Sequence, residues 1–230
     1  VLVQERLSGI NIRPRALDES ALLGHFEVAL EPLSALTVSG RRHELGADDE
    51  FLRSCEASLL ALPELRGHVE KALAVARNWN GRWRYPAVLA HGDYAFANIL
   101  FSMQSGRSVS GVIDWERSRP YACMGMDALY LALFSFAHWR GSSPMDVLIT
   151  LWEGDRDRVL ESLLRVVRTR FQVSDDDLQH LGLFIWLMHL TRQVSGFHAW
   201  SAQQRREWLT GPGRSAGRWM DSRADIGGRG

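Results

Sequence analysis

His91-Gly92-Asp93-Tyr94-Ala95-Phe96-Ala97-Asn98-Ile99-Leu100-Phe101, followed by Gly111-Val112-Ile113-Asp114-Trp115-Glu116, is the stretch that decides how the rest of the chain is read. Asp93 and Asn98 stand five residues apart, and Asp114 closes the next apolar run. Short apolar runs flank them: Ala87 to Ala90 before, Ile99 to Phe101 after, and Val109 to Ile113 further on. Runs of this length bounded by polar and glycine residues predict short strands near 88–90, 99–102 and 109–113, with Gln104-Ser105-Gly106-Arg107 as a hairpin turn. The three oxygen-bearing side chains then fall at strand ends and converge. Hard oxygen donors of this kind suit Mg²⁺, which keeps several waters and completes its shell from carboxylates and phosphates.

The HGDxxxxN loop and the Ile-Asp-Trp-Glu segment resemble those of the aminoglycoside phosphotransferase and choline kinase group of small-molecule kinases, relatives of the protein kinases. The match is specific over residues 88–134 and loose elsewhere. It implies an α+β, mainly helical fold: a protein-kinase-like large lobe in which a small β-hairpin core carries the catalytic and metal loops. It also implies transfer of the γ-phosphate of ATP, or GTP, to a hydroxyl of a small molecule, with Mg²⁺ as cofactor.

Within that resemblance Asp93 matches the catalytic aspartate, which orients the acceptor hydroxyl and takes its proton. Asn98 and Asp114 match the two metal ligands. His91 matches the motif histidine, expected to pack and hydrogen-bond within the loop. Asp127, in Met126-Asp127-Ala128-Leu129, matches an aspartate that either caps the following helix or braces the catalytic loop. The filling Tyr94-Ala95-Phe96-Ala97 departs from the family's usual His-Pro-Gly type. Acceptor contacts are expected from Glu116 and the later helices, where Trp139, Trp186 and His189 are the candidates, with His138, His198 and Trp200 beside them.

The N-terminal residues from Val1 to Gly9 resemble the last strand of the small lobe and the hinge, with the backbone of Gln4, Glu5, Arg6 and Leu7 meeting adenine. No glycine-rich hairpin precedes the motif, and Lys71 is the single lysine among 27 lysines and arginines. Lys71 lies in Pro63 to Trp79, where Leu65, Val69, Leu73 and Ala76 recur at helical spacing, so it reads as a solvated residue on a helix face. The expected organisation is therefore small-lobe strand and hinge over 1–9 and large lobe over 10–220. The latter divides into a core at 88–134 and acceptor-side helices at 135–220, followed by a glycine- and arginine-rich tail at 221–230. Most of the small lobe is expected to be missing, and transfer by these residues alone to be weak. A non-catalytic kinase-fold binding module and a metal-dependent phosphoesterase are the alternatives.

Helices are predicted over Asp18 to Val38, with Pro32 a kink or break, and over Asp48 to Leu62 and Pro63 to Trp79. Others follow near 125–139, 144–152, 155–171 and 175–195, the last opening on Asp175, Asp176 and Asp177, which suit the positive end of a helix. Leu181 to Leu190 is too short to span a bilayer and reads as a buried helix. Net charge is zero, which implies no attraction to nucleic acid or membrane surfaces. Cys55 and Cys123 lack metal-ligand spacing, and a reducing cytoplasm is expected; the arginine skew suggests a bacterial source.

Overall fold

The computed structural model describes residues 8–36, 50–60, 66–80, 87–104, 106–197, 201, 203 and 216–221. Its helices are α1 (Glu19–Ala29), α2 (Glu50–Leu59), α3 (Arg66–Asn80), α4 (Met126–Arg140), α5 (Pro144–Glu153), α6 (Arg158–Phe171) and α7 (Asp175–Phe197). The strands are β1 (Ala87–Ala90), β2 (Ile99–Phe101), β3 (Val109–Val112) and β4 (Arg119–Cys123). The chain divides into two compact units. One comprises Val1–Arg41, Pro86–Pro144 and Asp157–Ser174, the other Arg42–Tyr85, Met145–Arg156 and Asp175–Gly230.

In the first unit, Asp18 caps α1 by accepting from the Ala21 amide at 2.8 Å. Leu22, Phe26 and Ala29, at helical spacing, form its buried stripe. The helix stops at Ala29, and Pro32, the expected break, lacks an amide proton and opens a 3₁₀ turn, Pro32–Ala35. Leu89 of β1 donates to the Leu36 carbonyl at 3.1 Å, tying this turn to the sheet.

Two antiparallel pairs form the β core. β2 pairs with β3, Ile99 opposite Val112 and Leu100 opposite Gly111, as the hairpin reading expects. β1 pairs with β4, Val88 opposite Ala122 and Ala90 opposite Arg119. β4 has no counterpart in the sequence reading: it contains Pro120, which cannot donate to a ladder and argues against a strand unless the strand is at an edge. In a two-stranded sheet every strand is an edge.

α4 is buried almost all round, from Met126 to Leu133 and again at Ser135, Phe136 and Ala137. Such a helix belongs inside a core. It opens after Gly125 and closes at Gly141, both at positive φ. α6 starts three residues later than expected, because Asp157 caps it by accepting from the Val159 amide at 2.8 Å. Its buried stripe packs against α1 and α4.

The second unit is helical among its described residues, with α2, α3 and α7 in mutual contact. Leu181 to Met188 and Leu190 are buried in α7, and Gly182 lets it approach α5: a side chain there would meet Leu151 at 2.9 Å. Trp79 stacks on His180 at 5.0 Å, and Trp219 stacks on Trp152 at 5.9 Å. Lys71 lies on α3 and forms an ion pair with Asp221, the last residue of a helical stretch at 216–221. Asp175, Asp176 and Asp177 form the first turn of α7, where Asp175 meets Arg156 at 2.9 Å. Cys55 and Cys123 are buried and not joined in a disulfide, and no described helix is long and apolar enough to cross a membrane.

Candidate active site

β1 delivers the chain into a loop, residues 91–98, whose backbone is held from below by one carboxylate. Asp127, in the first turn of α4, accepts from the His91 amide through Oδ2 at 2.6 Å and from the Gly92 amide through Oδ1 at 3.0 Å. It is 6% exposed, and burial pushes its pKa above the ordinary carboxylate range while the two amide bonds pull it back. The turn needs glycine at 92: φ is +78°, and a side chain there would lie 2.4 Å from the Arg117 carbonyl oxygen. The loop and the segment after β3 therefore touch backbone to backbone.

His91 joins the same two segments. Its ring is fully buried, with Nε2 2.8 Å from the Ile113 carbonyl and Nδ1 3.2 Å from the Asp93 amide. A carbonyl only accepts, so Nε2 carries the proton and Nδ1 takes the amide hydrogen. Trp115 packs edge-on against the ring at 4.8 Å. Tyr94, buried beneath, donates to the Ala29 carbonyl at 2.6 Å, and burial followed by the charge of Asp127 pushes its hydroxyl pKa up.

Asn98 ends the loop. Its Nδ2 donates to the Asp93 carbonyl at 2.9 Å, and its own carbonyl accepts from the Ile113 amide at 2.9 Å. Asn11 clamps both neighbours, donating to the carbonyls of Ala97 at 2.8 Å and Ile99 at 3.1 Å. With Nδ2 committed, Asn98 Oδ1 is the atom left to accept or coordinate. Asp114 follows Ile113 in the left-handed region, φ 65° and ψ 54°, a conformation aspartate tolerates better than most residues. It opens the 3₁₀ turn Trp115–Arg117 without capping it, so its exposed carboxylate is not used by the turn it precedes. One amide oxygen and one uncommitted carboxylate, on segments bonded through Asn98 and Ile113, are a donor set that fits Mg²⁺ completed by waters and phosphate.

The side chain of Asp93 is 24% exposed. The Tyr130 hydroxyl donates to its Oδ1 at 2.6 Å, and the Arg117 guanidinium stands 3.8 Å from Oδ2. Arg117 also lies 3.6 Å from Glu116, which is exposed. Sequence reasoning missed Tyr130, Arg117 and Asn11. A signal existed for Tyr130, three residues past Asp127 and so on the same helix face.

The model for the phosphotransferase enzyme family, APH, matches residues 1–163. The chain belongs to this family. Two solved structures agree in fold. A thermostable mutant of the aminoglycoside phosphotransferase APH(4)-Ia, apo form, aligns with TM-score 0.53 and 15% identity over 95% of this chain and 71% of that one. The ADP-bound aminoglycoside phosphotransferase APH(2'')-Ib aligns with TM-score 0.51 and 14% identity over 94% of this chain and 71% of that one. No curated protein sequence matches the chain. The mainly helical architecture around a small β core is thus the protein-kinase-like fold of these phosphotransferases.

The other expected site residues of this phosphotransferase fall in several places. Trp139, in the last turn of α4, donates its indole N–H to the Leu17 carbonyl at 3.1 Å. His138 is exposed, and its carbonyl accepts from Arg15 at 3.1 Å. Trp186, 2% exposed, sits in the core of the second unit. His189, on the same helix, is half-buried, and burial, aided by Arg192, lowers its pKa below 6.5. Gln4, Glu5, Arg6, Leu7, His198 and Trp200 lie outside the described residues.

Proposed function

We propose that the chain is an ATP- and Mg²⁺-dependent phosphotransferase that moves the γ-phosphate to a hydroxyl of a small molecule. The observation that carries this reading is the linkage of the segments bearing Asp93, Asn98 and Asp114: Asn98 is fastened to the Asp93 carbonyl on one side and to Ile113, next to Asp114, on the other. Asp93, partly open to solvent, orients the acceptor hydroxyl and takes its proton. Asn98 Oδ1 and the Asp114 carboxylate would hold Mg²⁺, which would supply positive charge against the phosphates as the group is transferred. Arg117 adds a permanent positive charge beside the Asp93 carboxylate.

The adenine contact expected at Gln4 to Leu7 falls outside the described residues, and GTP is an alternative donor. Aminoglycosides are the first acceptors to test, because the two structures similar in fold reported above are aminoglycoside phosphotransferases. Sugars and other neutral hydroxylated natural products come next, with Glu116 as the exposed acceptor contact nearest the triad in sequence.

A magnesium titration at fixed ATP tests the metal assignment. Asp114→Ala should raise the Mg²⁺ requirement for nucleotide binding, whereas an unchanged requirement would make Asp114 a structural strand-end residue.

A further inference from the structure

α4 reaches the catalytic loop twice from one face. Asp127 and Tyr130 are a helical turn apart: the first grips the amides of His91 and Gly92, and the second grips the carboxylate of Asp93. Tyr130 is itself fixed. It is 4% exposed, and its ring stacks on Phe134 with centroids 3.9 Å apart and planes 17° from parallel. A phenol has one proton to give, and this one goes to Oδ1 of Asp93 at 2.6 Å, the short distance of a bond to a charged acceptor. The carboxylate cannot turn about its Cβ–Cγ bond without breaking it.

We infer that Tyr130 is a positioning residue that sets the rotation of the Asp93 carboxylate and presents Oδ2, the oxygen on the Arg117 side, to the acceptor hydroxyl. This rests on the reading of Asp93 as the group that meets the acceptor. In the transfer step the acceptor O–H proton passes to Oδ2 and the acceptor oxygen forms its bond to the γ-phosphorus. The bond from that phosphorus to the bridging oxygen breaks, with its electron pair leaving on the nucleoside diphosphate. The Tyr130 proton stays on Tyr130 throughout, as the anchor of Oδ1. The benefit is orientational: a carboxylate free to rotate spends part of its time with neither oxygen aimed at the acceptor.

Tyr130→Phe tests this in the full chain, because it removes the hydroxyl and leaves the ring to stack on Phe134. Transfer from radiolabelled MgATP is followed with a pooled set of aminoglycosides and sugars, and with water as the acceptor of last resort. Loss of a bond to a charged group predicts that kcat falls about 10- to 100-fold while KM for MgATP is unchanged. Phe134→Leu disturbs the stack and keeps the hydroxyl. If it lowers kcat as far as Tyr130→Phe does, and both losses track the loss in Tm, Tyr130 is a packing residue and the inference is overturned. ¹³C NMR of protein labelled at the aspartate carboxyls gives a readout independent of turnover. The Asp93 resonance, identified by its absence in Asp93→Asn, should move in Tyr130→Phe, and an unmoved resonance overturns the contact. A wild type that phosphorylates nothing, yet shows the shifted resonance in the variant, overturns the phosphotransferase reading and leaves the Tyr130 contact supported.

Discussion

Replacing Gly92 by alanine probes how closely the catalytic loop must seat on the segment that carries Asp114. A methyl group at 92 would lie 2.4 Å from the Arg117 carbonyl oxygen and 3.3 Å from its carbon. A carbon needs roughly 3.3 Å from a carbonyl oxygen, so loop and turn must part by about 0.9 Å. Neither neighbour is a flexible side chain end; both are backbone. The residue also sits at φ +78°, which costs an L-residue roughly 1–2 kcal/mol, and the overlap adds about 1–3 kcal/mol. Parting the segments pulls Asp93 away from Asp114 and breaks the registry that His91 and Asn98 maintain between them. Misplacement of reacting groups by close to 1 Å is worth about a hundredfold in rate. Gly92→Ala should therefore lower kcat by about that factor, along with a drop in stability in denaturant titration. Gly154→Ala is the comparison: φ is +81° there too, but nothing lies within 4 Å of the added carbon. It should lose about 1–2 kcal/mol of stability and no activity. Equal kcat in the two variants would refute the argument that close backbone contact at Gly92 aligns the site.

Two further outcomes follow from buried groups. Asp127→Asn can still accept from one of the His91 and Gly92 amides, but its NH₂ faces the other; a stability loss of about 1–3 kcal/mol is expected by urea titration, and an unchanged midpoint would show that the brace is dispensable. Burial, aided by Arg192, lowers the pKa of His189 in the fold below its ordinary value of 6.5, so the unfolded chain binds this proton more readily. The stability it contributes is present above that value and lost as pH falls toward its depressed folded value. The urea midpoint should accordingly drop more between about pH 7.5 and about pH 5.5, on either side of the ordinary histidine pKa of about 6.5, in wild type than in His189→Gln. Parallel curves for the two proteins would contradict the burial argument.

The loop from His91 to Asn98 was readable because polar residues interrupt three apolar runs, and strand ends are where such interruptions fall. The hairpin of β2 and β3 and the helices after residue 125 were readable for the same reason, since local periodicity and capping residues carry them. β4 was not: Pro120 speaks against a strand, and only its pairing with β1 across the intervening hairpin makes Arg119–Cys123 extended. The break after α1 was readable at Pro32, although the apolar spacing runs on through Leu33 and Leu36. Asn11 acts on carbonyls 86 and 88 residues away, and no local pattern marks such a partner. Tyr130 lies in the apolar run from Ala128 to Phe134, where an aromatic residue reads as core; only its hydroxyl and its spacing from Asp127 say otherwise.

The central claim is that Asp93 acts on an acceptor while Asn98 and Asp114 serve the metal and its phosphates. Transfer of radiolabelled γ-phosphate, measured beside MgATP affinity in wild type and Asp93→Asn, tests it most directly. The account predicts a Mg²⁺-dependent phosphorylated product, however slowly formed, whose rate falls at least about a hundredfold in Asp93→Asn while MgATP affinity is retained. Equal rates in the two proteins, or a loss of MgATP affinity that accounts for the whole effect, would contradict it.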